Sequence, residues 1–301
     1  MDLIGINEQR YIIFGPFDKG GCSTIDWGWD KHEQKWAIFK HLKTTNIHKV
    51  DEEIRINQEF SQTPQCVSCY DRFQDSVFKH NILVFHFIDH IPLRQILPYL
   101  QWNDIIHFSI SVLNILKQVH EKGFIHRDIK PSNLLLERQT LTIYLIDFGM
   151  SIEQQKKVSP KTGTPQFYSP EQERCIQQQN TFIPNFSVDI WAFGCILLEW
   201  WTGKGPFFSP NTIEKQNQWK QIWNEDILQD KRSTTILLQE KWFQEVKNPN
   251  IRQNNKHWID FISHILEPYS EYRWSAIQLL NHPFLKKKQK SYFLYDCVSA
   301  H

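Results

Sequence analysis

The chain has 301 residues, 41% hydrophobic and 14% aromatic, with 21 Phe and 12 Trp, enough bulky side chain to build a core in one large domain or two lobes and to exclude global disorder. Its 34 Lys and Arg against 33 Asp and Glu leave a formal +1, so no overall charge draws it to nucleic acid or a membrane, and specificity has to come from local sites. No apolar run approaches the roughly 18 to 20 residues of a span, Met1 to Arg10 lacks a basic flank followed by an apolar core, and six scattered Cys fit a reducing compartment; the expected setting is intracellular, cytoplasmic or nuclear.

The first ninety residues contain β-like runs at Arg10 to Phe17, Cys22 to Trp29, Lys35 to Leu42 and Asn81 to Ile88. In the second, Ile25, Trp27 and Trp29 alternate with Asp26 and Gly28, the period of a strand with one buried face. Asp30 to Gln34 reads as a solvated turn. Between the third and fourth runs, Val50 to Phe60 reads as a short helix, giving one helix on a small sheet. Cys66 and Cys69 have the spacing of half a zinc site, but no second pair of ligands follows, so they are read as thiols.

From Trp102 the pattern is helical, with Ile105, Ile106, Val112, Leu113, Leu116 and Val119 recurring until Gly123 stops it. A further helix is expected from Asp189 to Thr202, apolar almost all round and closed by Gly203. Gln177 to Asn180 reads as a surface loop, and Asn281 to Leu285 ends the fold. Lys286 to Lys290 is a short basic run, read as a solvated tail.

Three groups of residues carry chemistry. His126-Arg127-Asp128-Ile129-Lys130-Pro131-Ser132-Asn133 follows the helix that stops at Gly123; Leu145-Ile146-Asp147-Phe148-Gly149 is an apolar strand delivering an aspartate; Gly163-Thr164-Pro165 and Ser169-Pro170-Glu171 come next. Phosphoryl transfer needs an acceptor for the attacking hydroxyl's proton, oxygen ligands for Mg²⁺ and positive charge near the moving phosphate. In this order and at these intervals the groups resemble the catalytic loop, the metal-binding D-F-G and the end of the activation segment of eukaryotic protein kinases. The resemblance implies Asp128 as the catalytic aspartate, Lys130 beside the transferring phosphate, and Asn133 and Asp147 as ligands of Mg²⁺, with Phe148 and Gly149 completing D-F-G. Lysine two residues after the aspartate implies the serine/threonine branch.

The same resemblance places other residues. Asp189, in Asp189-Ile190-Trp191-Ala192-Phe193-Gly194, stands where the family braces its catalytic loop, and Arg273 where an arginine pairs with Glu171. Ala37-Ile38-Phe39-Lys40 makes Lys40 the holder of the α- and β-phosphates, with Glu53 its helical partner and Glu59 and Glu52 the fallbacks. Asp18-Lys19-Gly20-Gly21-Cys22-Ser23-Thr24-Ile25 occupies the place of the glycine-rich loop, but only the middle glycine, Gly20, survives. Asp18 and Ser23 replace the other two, which removes close backbone approaches to phosphate and adds a negative charge. Ile38 is bulkier than the family alanine that roofs adenine, Phe85 and Phe87 lie on the strand leading to the hinge that recognises adenine, with Phe85 either the gatekeeper of that pocket or a core aromatic, and Leu135 takes the adenine floor. Arg127 is a candidate to meet a phosphate on Ser159 or Thr162, and Thr164 is expected to act unmodified.

The expected fold is therefore α+β and bilobal: a kinase domain over 1–285, with a β-rich N-lobe of about 1–88 and a mainly helical C-lobe of about 89–285, then a basic tail, 286–301. The expected function is transfer of the γ-phosphoryl of Mg-ATP to Ser or Thr of protein substrates, with a scaffolding pseudokinase as the alternative. Neither nucleic acid nor a membrane span is expected; subfamily and oligomeric state are left open.

Overall fold

A computed structural model of the chain describes residues 10–19, 23–43, 46–74, 81–202 and 256–286. They divide into two units, one running up to His90 and taking in Tyr144–Gly149, the other made of Ile91–Ile143 and the residues from Met150 onward. The first is mainly strand and the second mainly helix, the α+β class read from the sequence.

In the first unit, β1 (Tyr11–Lys19), β2 (Ser23–Asp30), β3 (Lys35–Leu42), β4 (Asp71–Gln74) and β5 (Asn81–His86) form one sheet in the order β1-β2-β3-β5-β4. Each neighbouring pair is antiparallel, and the register sets Lys40 opposite Ile25 and Leu83, and Ile38 opposite Trp27 and Phe85. Helix α1 spans Ile47–Glu59, three residues ahead of the expected start, because Asn46 caps it with a side-chain oxygen that accepts from the Lys49 N–H. Its Val50 and Ile54, four residues apart on one face, pack with Leu42 and Leu83, with Cys69 and Phe85 at the margin. β4 was not expected: Phe73 is the one apolar residue in Asp71–Gln74, too little to show a period.

The alternation in β2 is real, but the buried face is the opposite of the one its composition points to. Asp26 and Asp30 are buried, whereas Trp27 is 38% exposed. Gly28 makes this possible, because a Cβ there would lie 2.2 Å from the Ile12 carbonyl oxygen, so only glycine lets β1 cross so closely. Tyr11, Ile13, Ala37, Phe39, Ile82 and Val84 fill that face. On the other, Trp27 stacks on Trp36 with centroids 5.1 Å apart, and Phe14 lies 5.2 Å from Trp27.

The buried carboxylates are compensated. Asp26 faces His41 Nε2 at 2.8 Å. Asp30 accepts from Arg10 Nε and Nη2 at 3.1 and 2.9 Å, from the Tyr70 hydroxyl at 3.0 Å, and from the His32 and Glu33 N–H groups. Arg10 continues to Asp71 at 2.8 Å, which also accepts from the Tyr11 hydroxyl. The network ties the start of β1, the end of β2 and β4 together.

In the second unit, after the short β6 (His90–Ile91) and α2 (Leu93–Ile96), α3 runs Trp102–Glu121 from a capping box in which Gln101 and Asp104 bond each other's backbone. Gly123, at φ +82°, follows its end. β7 (Phe124–Ile125) pairs with β10 (Ile152–Glu153), while β8 (Leu134–Glu137) and β9 (Ile143–Leu145) flank a turn in which Glu137 N–H bonds Thr142 O. Helix α4 (Pro170–Gln177) starts on a proline, which suits the first turn of a helix. Gln177 to Asn180 at its end are exposed, the surface position expected of them. Helix α5 (Ser187–Thr202) is buried on nearly every side, and α6 (Lys256–Ile265) and α7 (Ala276–Leu280) close the described core. Trp258 on α6 meets Trp201, Trp102 and Phe284 with centroids 5.3–5.6 Å apart. Gly203 and the lysine run beyond Lys286 lie outside the described residues.

Burial alone would push the Asp30 carboxyl up, but its bonds from Arg10, the Glu33 and His32 backbone and Tyr70 outweigh it and hold it at about 2, below the ordinary 3.8. A depressed carboxylate stabilises the fold above pH 3.8 and loses that contribution as pH falls through about 2. Arg10→Ala, which leaves Asp30 buried without its guanidinium, is expected to cost about 3 kcal/mol at pH 7. It should also move the acid-unfolding midpoint to higher pH, as read by circular dichroism from pH 6 to 2.

Candidate functional site

In the first unit the chemistry gathers on Lys40. The strand turns this side chain to the face covered by α1, where Nζ lies 2.7 Å from Glu53 Oε1 and 2.6 Å from Asp147 Oδ1. Of the three α1 carboxylates considered from the sequence, Glu53 takes this bond. Burial disfavours the ammonium, yet the attraction of Asp147 and Glu53 and their hydrogen bonds raise its pKa above the ordinary lysine value, so it stays charged. Asp147 arrives on a segment with its own anchors. Leu145 N–H bonds Gln65 O at 2.8 Å and Leu145 O accepts from Val67 N–H at 2.9 Å, and Phe148 stacks on Phe60 at 4.2 Å. These contacts are why Tyr144–Gly149 groups with the first unit although it lies within the stretch assigned from sequence to the C-lobe. Asp147 itself sits at φ +64°, a conformation that costs a non-glycine residue about 1–3 kcal/mol and needs such support.

Ile25, Ile38, Phe85 and Phe87 are half-buried. Ile38 and Lys40 alternate with the buried Ala37 and Phe39, so both lie on the α1 side of β3. Phe85 packs against the Leu42–Leu83 cluster, which makes it a core aromatic whatever else it contacts. Ser23 is half-buried opposite Leu42. Gly20, Gly21 and Cys22 lie outside the described residues, and for Asp18 and Lys19 only the backbone, in β1, is described.

In the second unit a buried carboxylate shapes the loop. Asp189 on α5 accepts from the His126 and Arg127 N–H groups at 2.9 and 2.8 Å and meets His120 Nε2 at 2.9 Å. Burial acts to raise this carboxyl, and the bond and charge of His120 with the His126 N–H outweigh it, so the group is held low and ionised. The two N–H bonds fix Arg127 at φ +66° and aim the next residues. Lys130 Nζ bonds Asp128 Oδ2 at 2.7 Å and Thr164 Oγ1 at 3.1 Å, and the Thr164 hydroxyl donates to Asp128 Oδ1 at 2.7 Å. Asn133 Nδ2 donates to Asp128 O at 2.8 Å and to its Oδ2 at 3.2 Å. Leu135 is half-buried in β8.

The segment that delivers Thr164 is pinned by residues the sequence reading did not single out. Gln172 Nε2 donates to the Pro160 and Thr162 carbonyls at 2.8 and 2.9 Å, and the Tyr168 hydroxyl donates to Gly163 O at 3.3 Å. Gln172, the residue after Glu171, and His120, in the last turn before the loop of Asp128, were marked only by position. Gly163 sits at φ +98°, and a Cβ on it would come 2.4 Å from Arg127 O. Ser159 is exposed and Thr162 half-buried, its hydroxyl donating to Ser159 O at 3.0 Å; Arg127 Nε bonds Met150 O at 2.6 Å. Glu171 and Arg273 form a two-pronged pair at 2.8 and 3.0 Å, with Arg273 also bonding Ser187 O and Glu267 O.

Asn133 spends its amide nitrogen on Asp128, which leaves its side-chain carbonyl oxygen as an oxygen donor of the kind hard cations take. A second cluster, Asp260, His264 and His282, brings its ligand atoms within 4.8 Å of one another. It does not suit a metal. The Phe284 N–H donates to His282 Nδ1 at 3.1 Å, which puts the ring proton on Nε2 facing Asp260 at 3.0 Å, whereas a metal-binding imidazole needs its other nitrogen to donate. Cys66 and Cys69 are in no disulfide, and Cys69 Sγ lies 2.8 Å from Asp71 O.

Two substitutions test this geometry. Gly163→Ala meets the Arg127 carbonyl and a positive φ together, so it is expected to lower any activity that depends on Asp128 and Thr164 while the melting temperature falls by only a few degrees. Arg273→Ala strands Glu171 and is expected to cost about 3–5 kcal/mol in urea denaturation.

The protein kinase domain family matches residues 16–285. A "probable serine/threonine-protein kinase" of Dictyostelium discoideum is 26% identical over 303 residues, covering 95% of this chain and 49% of that protein. A "probable casein kinase II subunit alpha homolog" of Encephalitozoon cuniculi is 26% identical over 211 residues, covering 66% of this chain and 61% of that protein. This chain thus spans about half to three fifths of these relatives. With the family matched over nearly its whole length, the chain belongs to the protein kinase domain family.

Proposed function

We propose that the chain is a serine/threonine protein kinase that moves the γ-phosphoryl group of Mg-ATP to Ser or Thr hydroxyls of protein substrates. The observation that carries this is the hydrogen-bonded set Asp128, Lys130, Asn133 and Thr164, in which one carboxylate is held by a cation, a hydroxyl and an amide. Asp128 accepts and orients the substrate hydroxyl's proton, with each oxygen already fixed by a partner, so little reorganisation is left for the reaction. Lys130, a donor to both Asp128 and Thr164, offers its charge to the transferring phosphate. Thr164 and Lys130 on this reading mark a site for a Ser or Thr acceptor.

Lys40, charged and held by Glu53, binds the α- and β-phosphates, and in doing so exchanges part of its bond to Asp147 for phosphate oxygen. Mg²⁺ would take the Asp147 carboxylate and the Asn133 carbonyl oxygen as ligands and would neutralise charge on the phosphates. A purely scaffolding protein has no chemical need for Lys40, Asp128, Asn133 and Asp147 together. Among the described residues no helix is long and apolar enough to cross a membrane.

The test is transfer of labelled γ-phosphate from Mg-ATP to a generic Ser- and Thr-containing protein, with the modified residue read by mass spectrometry. Incorporation on Ser or Thr is expected, falling about 10²- to 10⁴-fold in Asp128→Asn, and Lys40→Met is expected to abolish detectable labelling. Absence of labelling by the unmodified chain, or labelling that survives both substitutions, refutes the proposal.

A further inference from the structure

A basic stretch on the segment leading to Thr164 has no part in the chemistry above. From Met150 to Tyr168 the chain carries Lys156, Lys157 and Lys161 against one acid, Glu153, a formal +2 where the whole protein has +1. Lys156 is 3.3 Å from Glu153, which accounts for that acid. Lys157 and Lys161 are exposed, and neither ion-pairs with another described residue.

These two side chains stand on a backbone that is held. Val158 exchanges hydrogen bonds with Phe182, N–H to O at 2.8 Å and back at 3.0 Å. Lys161 N–H bonds Ser159 Oγ at 3.3 Å, and Gln172 takes the carbonyls on either side of Lys161. Thr164, three residues on, is bonded to Asp128. Three residues span at most about 11 Å, and an extended peptide advances by about 3.3 Å per residue. A lysine side chain starting at residue 161 therefore covers positions about two to five residues from an acceptor hydroxyl seated at Asp128. A fixed, uncompensated positive edge attracts anionic partners and repels cationic ones.

We infer that, given the phosphotransfer reading above, Lys157 and Lys161 select acceptor segments that are acidic, with carboxylate or phosphate groups within about five residues of the Ser or Thr that is modified. The selection acts on encounter and docking, so it appears in KM and in peptide affinity, it weakens as salt rises, and it leaves the turnover of bound peptide unchanged.

The test uses the full chain and peptides with one central Ser flanked by Glu, phosphoserine, Ala or Lys, followed in two ways: binding by fluorescence anisotropy, and phosphotransfer. At 50 mM salt the Glu- and phosphoserine-flanked peptides are expected to bind at least about fivefold more tightly than the Ala peptide, an effect on the scale of two exposed ion pairs, and the Lys peptide more weakly. The order between Glu and phosphoserine identifies which anion the site takes. The doubly substituted Lys157→Ala, Lys161→Ala chain should bind Glu and Ala peptides within twofold of each other and phosphorylate the Ala peptide as before; Lys117→Ala, on α3, should leave the preference intact. Equal binding of Glu and Ala peptides by the unmodified chain, or an acidic preference that survives the double substitution, overturns the inference. If no peptide is phosphorylated while the lysine-dependent acidic preference in binding remains, phosphotransfer fails and acidic recognition stands. If peptides are phosphorylated without regard to their flanks, the reverse holds.

Discussion

A buried ammonium group needs carboxylates, and in the first unit that need draws together three segments far apart in sequence. Lys40 comes from the middle of a sheet, Glu53 from the helix laid on it, and Asp147 from a segment about a hundred residues on that is drawn into the same unit. Removing either carboxylate leaves a cation with less to offset its desolvation. The sheet register, the cap at Asn46 that sets where α1 begins, and the Phe60–Phe148 stack all act to place these three groups. The ion pairs do not add much net stability, since the interior charges a large desolvation cost, but they make the arrangement specific.

The second unit applies the same rule with the sign reversed. Asp189 is a buried anion, satisfied by two backbone N–H groups and His120, and the backbone it captures is the start of the loop that carries Asp128. From there the constraint passes outward through Asp128 to Lys130, Asn133 and Thr164, and through Gln172 to the segment before Thr164. Glu171 and Arg273 anchor the far end of that segment in the same manner. In both units compensated charges lock loops, with the apolar core supplying the strands and helices that hold them.

Much of this was legible in the residues. The α+β class, the helix from Trp102, and the motif groups around Asp128, Asp147 and Glu171 could be read because spacing and residue type carry the chemistry. What escaped was set by partners distant in sequence. The inverted face of β2 depends on Arg10, Tyr70 and His41 lying opposite Asp30 and Asp26, and on Gly28 passing under Ile12; a period of two shows that faces differ, not which is buried. β4 is defined by its pairing with β5 and not by its own composition. Gln172 and Tyr168 act through backbone carbonyls, contacts for which no residue pattern exists. The glycine-rich loop departs from the family pattern at Asp18 and Ser23, and the part between them falls largely outside the described residues.

The most direct measurement is ATP binding by calorimetry with and without Mg²⁺, on the unmodified chain and on Asp147→Asn. If Lys40 holds phosphate while Asp147 is given over to the metal, Mg²⁺ should tighten ATP binding at least about tenfold, a difference of about 1.4 kcal/mol. Asp147→Asn should then bind ATP with nearly the same affinity whether or not Mg²⁺ is present. No binding by the unmodified chain, or an affinity indifferent to Mg²⁺, would contradict the account.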